Sequence, residues 1–323
     1  MEYKATKPTA YTGRPAKAGE YLYQYIKTGQ LENILAASPG SKFNHFGVLG
    51  YGVDQGVFLN HGRMGAAAGP DAFRAQFGSL AMPFKKAVSI TDYGTFYCPD
   101  QQLVPAQKRL GAAVSKLLAK RVKPLLIGGG HDMAYGHFLG IQEYLNEYHP
   151  HASLGIINID AHLDLRMPEP EGTSGSPFLQ IANHLKGANK KFNYCCVGVR
   201  RQSNPPSLLA CAEKLNSTLI YREQCAAPMT LEVQEKIKKF IDKVDFIYLS
   251  IDLDAFTMGI APGVSAASPL GIGLDFGMSV VKEILNSGKL LSMDLAELNP
   301  LYDLENSTAK LAAGLAYEYI TGV

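Results

Sequence analysis

The chain has 323 residues, 46% of them hydrophobic and 19% charged, an ordinary globular composition with ample apolar material for a large core. A formal net charge of +2 and a pI of about 8.1 argue against a nucleic-acid footprint or a polybasic membrane surface and leave a small molecule as the expected partner. The N-terminus has no signal-peptide core and no run approaches the ~18 apolar residues of a membrane span, so a cytoplasmic address is expected. The five cysteines form no CxxC pair and read as reduced packing residues, with the adjacent Cys195 and Cys196 facing opposite ways on a strand.

Near the start, "GEYLYQYIKTG" (19–29) predicts a short helix with Tyr21, Leu22, Tyr25 and Ile26 on one face, suited to core or subunit contact. Aliphatic runs then recur along the chain: "HFGVLGYGV" (45–53), "KAVSITDYG" (86–94), "VKPLLIGGG" (122–130), "SLGIINID" (153–160), "FNYCCVGV" (192–199), "FIYLSIDLD" (246–254) and "LLSMDLAEL" (290–298). Each reads as a buried strand. Helical spacing occupies 103–121, 132–148, 205–216, 229–243, 275–288 and 306–320. Near-continuous aliphatic strands alternating with helices predict a mainly parallel sheet covered on both faces, a three-layer α/β/α architecture. Ligands of such sheets gather outside the carboxyl ends of the strands. Functional residues are therefore expected directly after the aliphatic runs, and the Pro- and Gly-containing segments 167–177 and 259–273 read as site loops.

Three strand ends carry the chemistry. "LLIGGGHD" brings His131, "NIDAHLD" brings Asp160, His162 and Asp164, and "LSIDLD" brings Asp252 and Asp254. A single Asp or His ending a strand is usually a cap or turn residue. Two His and four Asp on three strand ends are different, because isolated charges in an apolar interior are severely destabilising. If the strand continued through 160, 162 and 164, alternation would place these three side chains on one face. Imidazole and carboxylate donors without thiolate suit Mn²⁺ or a similar first-row cation, and six donors exceed the needs of one catalytic ion, so two ions sharing a carboxylate are expected. "GGGHD" lacks GxxxxGK[ST] and "GVLGYG" is not GxGxxG, so nucleotide binding is not indicated; the three glycines are expected to let the backbone turn sharply toward His131.

With these motifs in view, the chain resembles the ureohydrolases, the arginase and agmatinase superfamily of binuclear manganese hydrolases. "GRMGAAAGPDAFR" (62–74), "GGGHD", "DAHLD", "SIDLD" with "APG", and "AELNP" follow the family order. The resemblance implies one arginase-like α/β domain over 1–323, with residues 1–45 as an extension packed on it, and a homo-oligomer. It implies two Mn²⁺ per subunit bound by His131, Asp160, His162, Asp164, Asp252 and Asp254, with Glu297 pairing with an amidine or guanidine group. Ser174, in "SGSPF", stands where arginases and agmatinases keep a proton-shuttling His; "AFTMGIAPGVSA" after Asp254 lacks their DP; "GVRRQSNPPSL" (198–208) lacks an agmatinase look. All three segments are similar to the formimidoylglutamase branch, whose substrate is N-formimidoyl-L-glutamate, although Asp132 stands where that branch is expected to have Glu.

That substrate carries two carboxylates, and Arg166, Arg200 and Arg201 follow strand ends, where guanidinium forks could hold them. Ser174 and Glu297 complete the expected substrate contacts. A hydroxide bridging the cations is expected as nucleophile, with Asp164 orienting it and either Asp164 or a water chain giving the leaving amine its proton. The alternatives are a guanidino hydrolase of the same family releasing urea, and a family member without activity.

Overall fold

In the computed structural model, which describes residues 2–37, 44–82, 88–98, 102–168 and 171–322, the aliphatic runs become neighbours in one sheet. The strands are β1 (Glu2–Lys4), β2 (Lys27–Thr28), β3 (Asn44–Gly52), β4 (Val88–Tyr97), β5 (Lys123–Gly128), β6 (Leu154–Ile159), β7 (Asn193–Val199), β8 (Thr218–Tyr221), β9 (Phe246–Asp252) and β10 (Leu290–Ala296). The helices are α1 (Gln55–Leu59), α2 (Gly69–Phe77), α3 (Leu103–Ala119), α4 (Met133–Tyr148), α5 (Pro177–Gly187), α6 (Pro206–Lys214), α7 (Leu231–Asp242), α8 (Leu274–Asn286) and α9 (Ser307–Thr321). The sheet order is β1-β4-β3-β5-β10-β9-β6-β7-β8, with β2 beside β4. Every pairing is parallel except β1 on β4.

Alternation along these strands builds two cores. Leu125, Ile157, Ile159, Leu249 and Ile251 point to a face covered by α2, α7, α8 and α9, while Leu126, Ile156 and Tyr248 point to one covered by α3, α4, α5 and α6. The expected three layers follow. Cys195 joins the first core and Cys196 the second, and none of the five cysteines is in a disulfide. The helices show why they lie down: α7 buries Val233, Ile237, Phe240 and Ile241 at helical spacing, and Thr230 caps it by accepting from the Val233 N–H. In α8, Phe276, Val280 and Ile284 form one fully buried stripe, each side chain contributing about 1.5–3 kcal/mol.

The segment 19–29 departs from expectation, forming one 3₁₀ turn, Leu22–Gln24, and the short strand β2 in place of a helix. Its backbone donors find partners outside a helix. Gln24 Oε1 accepts from the N–H groups of Gly19, Glu20 and Tyr21, while the Leu22 and Tyr23 N–H groups donate to the Leu80 and Gly78 carbonyls. Leu22 is fully buried, but Tyr25 is exposed. Upstream, the Tyr11 hydroxyl donates to Asp92 Oδ2 (2.5 Å), which also receives Arg74 Nε (2.7 Å) within the apolar interior. Residues 86 and 87 of the expected second strand, and 169 and 170 of the expected site loop, lie outside the described residues.

Candidate active site

Four adjacent strands, β5, β10, β9 and β6, end at the site. His131 lies three residues beyond β5, Glu297 follows β10, Asp252 ends β9, Asp254 sits on the following 3₁₀ turn and Asp160 follows β6. β6 stops at Ile159, so Asp160, His162 and Asp164 do not converge by strand alternation as expected; a loop gathers them, with Asp164 in the left-handed region at φ 49°. The chain bends at Gly129 and Gly130 and turns at His131, although none of Gly128, Gly129 and Gly130 is among the positive-φ residues. The run permits close approach: a Cβ on Gly129 would lie 1.9 Å from the Val53 carbonyl oxygen. The Gly129 and Gly130 N–H groups donate to the Tyr51 and Val53 carbonyls, and the Gly129 carbonyl accepts from Glu297 N–H, stitching β3, β5 and β10 together beside His131.

The donors form two groups, His131, Asp160, Asp164 and Asp252 in one and Asp160, His162 and Asp254 in the other. Asp160 is common to both. His131 Nδ1 lies 2.9 Å from Asp164 Oδ2, 3.2 Å from Asp252 Oδ2 and 3.3 Å from Asp160 Oδ2; His162 Nδ1 lies 3.1 Å from Asp254 Oδ2 and 3.5 Å from Asp160 Oδ1. Despite that proximity, His131 Nδ1 is a buried atom with no hydrogen-bond partner, as are Asp254 Oδ1 and Glu297 Oε2. Atoms that crowd together without bonding to one another are aimed at a common point. Bonds of about 2.1 Å to a first-row cation put neighbouring donors roughly 3.0–3.4 Å apart, the spacing found here. The donor set therefore fits a metal centre, with Asp160 steadied by Asn158 Nδ2 and the His162 N–H, and Asp252 by the Asp254 N–H.

Electrostatics leads to the same conclusion. Burial and the charge of Asp160 push Asp164 up to about 6, and burial with Asp254 and Asp160 raises Asp252 well above the carboxylate range. Burial, then Asp252 and Asp254, raise Glu297 likewise. For His131 and His162 burial opposes the charged form, yet the surrounding carboxylates outweigh it and hold both imidazoles well above the ordinary value. Asp160 is the exception: burial raises it, but contacts with both imidazoles bring it below the usual range. Such a cluster has surplus negative charge that bound cations would neutralise.

A cavity of about 290 Å³ opens onto these groups, lined by His162, Asp164, Asp252, Asp254 and Glu297. Glu297 is 3% exposed and has a left-handed backbone (φ 68°); its Oε1 accepts from the His131 N–H, leaving Oε2 for the cavity. Ser174 and Arg166 line the same cavity. Arg200 and Arg201 are not among its lining residues: Arg200 is buried with Nε unpartnered, and Arg201 stacks on the Tyr221 ring at 3.7 Å. Arg63, which sequence reasoning did not select, does line it. Its guanidinium donates to the Ser265 and Val264 carbonyls and lies 4.0 Å from the Tyr302 ring, and Asn299 Nδ2 holds the Arg63 and Met64 carbonyls. Asn204, also missed, pins the ligand loop by donating to the Ala161 carbonyl and accepting from the Leu163 N–H; its place before Pro205-Pro206 was the only cue. Asp132 is fully buried under the Tyr51 hydroxyl, where burial raises it to about 7.

Comparison with known proteins agrees with this geometry. The arginase family model matches residues 44–322. A formimidoylglutamase of Geobacillus thermodenitrificans is 40% identical over 320 residues, covering 98% of this chain and 96% of that protein. Among solved structures, formimidoylglutamase from Bacillus subtilis superposes with a TM-score of 0.78 at 21% identity, covering 96% of this chain and 94% of that one. Trypanosoma cruzi formiminoglutamase, solved with Mn²⁺, gives 0.72 at 22% identity, covering 91% of this chain and 98% of that one. No helix among the described residues is long and apolar enough to cross a membrane. The fold, the order of the strand-end motifs and the near-full-length identity together mean that the chain belongs to the arginase family of hydrolases.

Proposed function

We propose that this enzyme hydrolyses N-formimidoyl-L-glutamate to L-glutamate and formamide, a step of histidine degradation, with two Mn²⁺ ions held by His131, Asp160, Asp164 and Asp252 on one side and by Asp160, His162 and Asp254 on the other. The observation that carries the reading is the single carboxylate, Asp160, shared by two donor groups whose members His162, Asp164, Asp252 and Asp254 line one cavity. The likeness to formimidoylglutamases supports the substrate. When bound, such a cation pair supplies Lewis acidity that brings the pKa of water from 15.7 toward roughly 7.

The chain's own groups do the rest. Glu297 Oε2 accepts from the amidinium N–H groups and holds the planar formimidoyl carbon over the donor cluster. Asp164, which lines the cavity beside the donor cluster, takes the proton of the attacking water and returns it to the departing glutamate nitrogen. The C–N bond to that nitrogen breaks as the new C–O bond becomes the formamide carbonyl, and the proton left on that oxygen passes to the glutamate amine, which departs as an ammonium. Arg166 and Arg63, both on the cavity wall, meet the two substrate carboxylates, and Ser174 contacts the substrate beside them. Arg200 and Arg201 act on the substrate only through the loop they flank. The same reading has all 323 residues working as one arginase-like unit with residues 1–45 packed on it, in the cytoplasm and as a homo-oligomer.

A substrate panel with added Mn²⁺ tests this, measuring formamide, urea and ammonia separately. Formamide in equal yield with glutamate is the expected result. Urea from arginine, agmatine or a guanidino acid overturns the substrate, and no turnover of any of them overturns the activity.

A further inference from the structure

Behind His131, away from the cavity, runs a buried polar chain that the reaction does not use. His131 Nε2 lies 2.9 Å from Ser250 Oγ, whose hydroxyl donates to Asp294 Oδ1 at 2.6 Å. Asp294 Oδ2 meets His137 Nδ1 at 2.6 Å and also receives the Tyr248 hydroxyl. His137 Nε2 lies 2.6 Å from Ser292 Oγ, which donates to the Pro124 carbonyl at 3.1 Å. Ser250, Asp294, His137, Ser292 and Tyr248 are all fully buried. The register explains their meeting: Ser250 opposes Asp294 and Tyr248 opposes Ser292 on β9 and β10, and α4 carries His137 over that face.

Counting hydrogens fixes the direction of the bonds around Asp294 and Ser250. Ser292 Oγ lies between His137 Nε2 and the Pro124 carbonyl, at 2.6 and 3.1 Å. His137 Nδ1 faces a carboxylate oxygen that can only accept, so Nδ1–H donates to Asp294. Ser250 spends its hydrogen on Asp294, so its oxygen accepts from His131 Nε2–H. A proton of His131 is thereby held on Nε2, and Nδ1 is the nitrogen that faces Asp160, Asp164 and Asp252.

We infer that Ser250, Asp294 and His137 form a positioning relay that fixes the tautomer of His131 and raises its strength as a donor to a cation. The carboxylate polarises the Ser250 hydroxyl, which polarises the imidazole, and the His137 Nδ1–H and Tyr248 hydroxyl hold the carboxylate in place. The inference rests on the reading of the donor cluster as a two-cation site.

The test titrates the full-length protein with Mn²⁺ and follows free Mn²⁺ by electron paramagnetic resonance. Wild type is expected to bind two ions. Ser250→Ala and Asp294→Asn should lose 10–100-fold in affinity at one of the two sites and keep the other within about twofold. Ser250→Thr, which keeps the hydroxyl, should restore binding to within a few-fold of wild type. Unchanged affinity in a cooperatively folded Ser250→Ala protein overturns the relay, and so does equal weakening of both sites or a loss in Ser250→Thr as deep as in Ser250→Ala. Should Asp294→Asn fail to fold, Ser250→Ala alone decides. Failure of wild type to bind two ions instead sinks the two-cation reading, so the two failures are distinguishable.

Discussion

The shared carboxylate makes metal binding and folding one measurable quantity. A cation that binds only the folded chain stabilises it by about 2.7 kcal/mol at a concentration 100 times its dissociation constant. Unfolding entropy near 60 °C is roughly 2.1 cal/mol/K per residue, which for 323 residues is about 0.7 kcal/mol per degree. Each occupied site should therefore raise Tm by about 4 °C, and the pair by about 8 °C. Asp160→Asn removes a donor from both groups and should abolish nearly the whole Mn²⁺-dependent increment. Asp254→Asn leaves His131, Asp160, Asp164 and Asp252 intact and should keep about half. Calorimetric melts of each protein with and without Mn²⁺ give the increments independently of any change in the metal-free Tm. Equal increments in wild type and Asp160→Asn would refute the bridging role, and equal losses in the two variants would refute the division into two groups.

The sign of the pH dependence follows from the same charges. Asp164 is raised from 3.8 to about 6, so its contribution to metal-free stability is full below pH 3.8 and lost as pH rises through 6, and the raised His131 and His162 continue the loss above their ordinary 6.5. Asp160 acts oppositely, but only below about pH 4. Metal-free Tm should accordingly fall between pH 5 and 8 while the Mn²⁺ increment grows, and a shrinking increment would contradict the assignment. Asp164→Asn should lower kcat by roughly 10²–10⁴-fold and Ser174→Ala by about tenfold at most, and equal, mild effects in steady-state assays would count against Asp164 as the proton carrier. Arg74→Ala leaves Asp92 charged and buried, which should destabilise the protein by about 3–5 kcal/mol and lower Tm by about 4–7 °C in a thermal melt; a shift under 1 °C would show that water replaces the guanidinium.

The sequence made the strand-end donors legible because each motif closes an unmistakable aliphatic run, and the parallel order of the runs brings those ends to one edge. Arginine placement was not legible in the same way. Arg200 and Arg201 follow β7, but one guanidinium is buried and the other is held against Tyr221 by a neighbouring strand, a contact that no local spacing encodes. Arg63 reaches the cavity through Asn299 and Val264, partners more than 200 positions away. The relay did leave a trace: Tyr248 and Ser250 in β9, and Ser292 and Asp294 in β10, are polar groups at alternate positions of otherwise aliphatic strands. Alternation inside a run that should be buried on both faces marks a face that buries something polar.

One distance explains why the least regular backbone lies at the site. β5 and β6 are separated by β10 and β9, and three interstrand steps of about 4.8 Å put their axes roughly 14 Å apart. His131 and Asp160, which follow those two strands, nevertheless come within 3.3 Å. Strands cannot cover that gap, so the chain beyond each end must fold inward over β10 and β9. Gly129 leans that way by accepting from the Glu297 N–H beyond β10, while Asp164 and Glu297 take up left-handed backbone that non-glycine residues ordinarily avoid. The donors are thus held by strain and close packing as well as by bonds, and the concentration of negative charge that results is tolerable to the fold chiefly because cations can neutralise it.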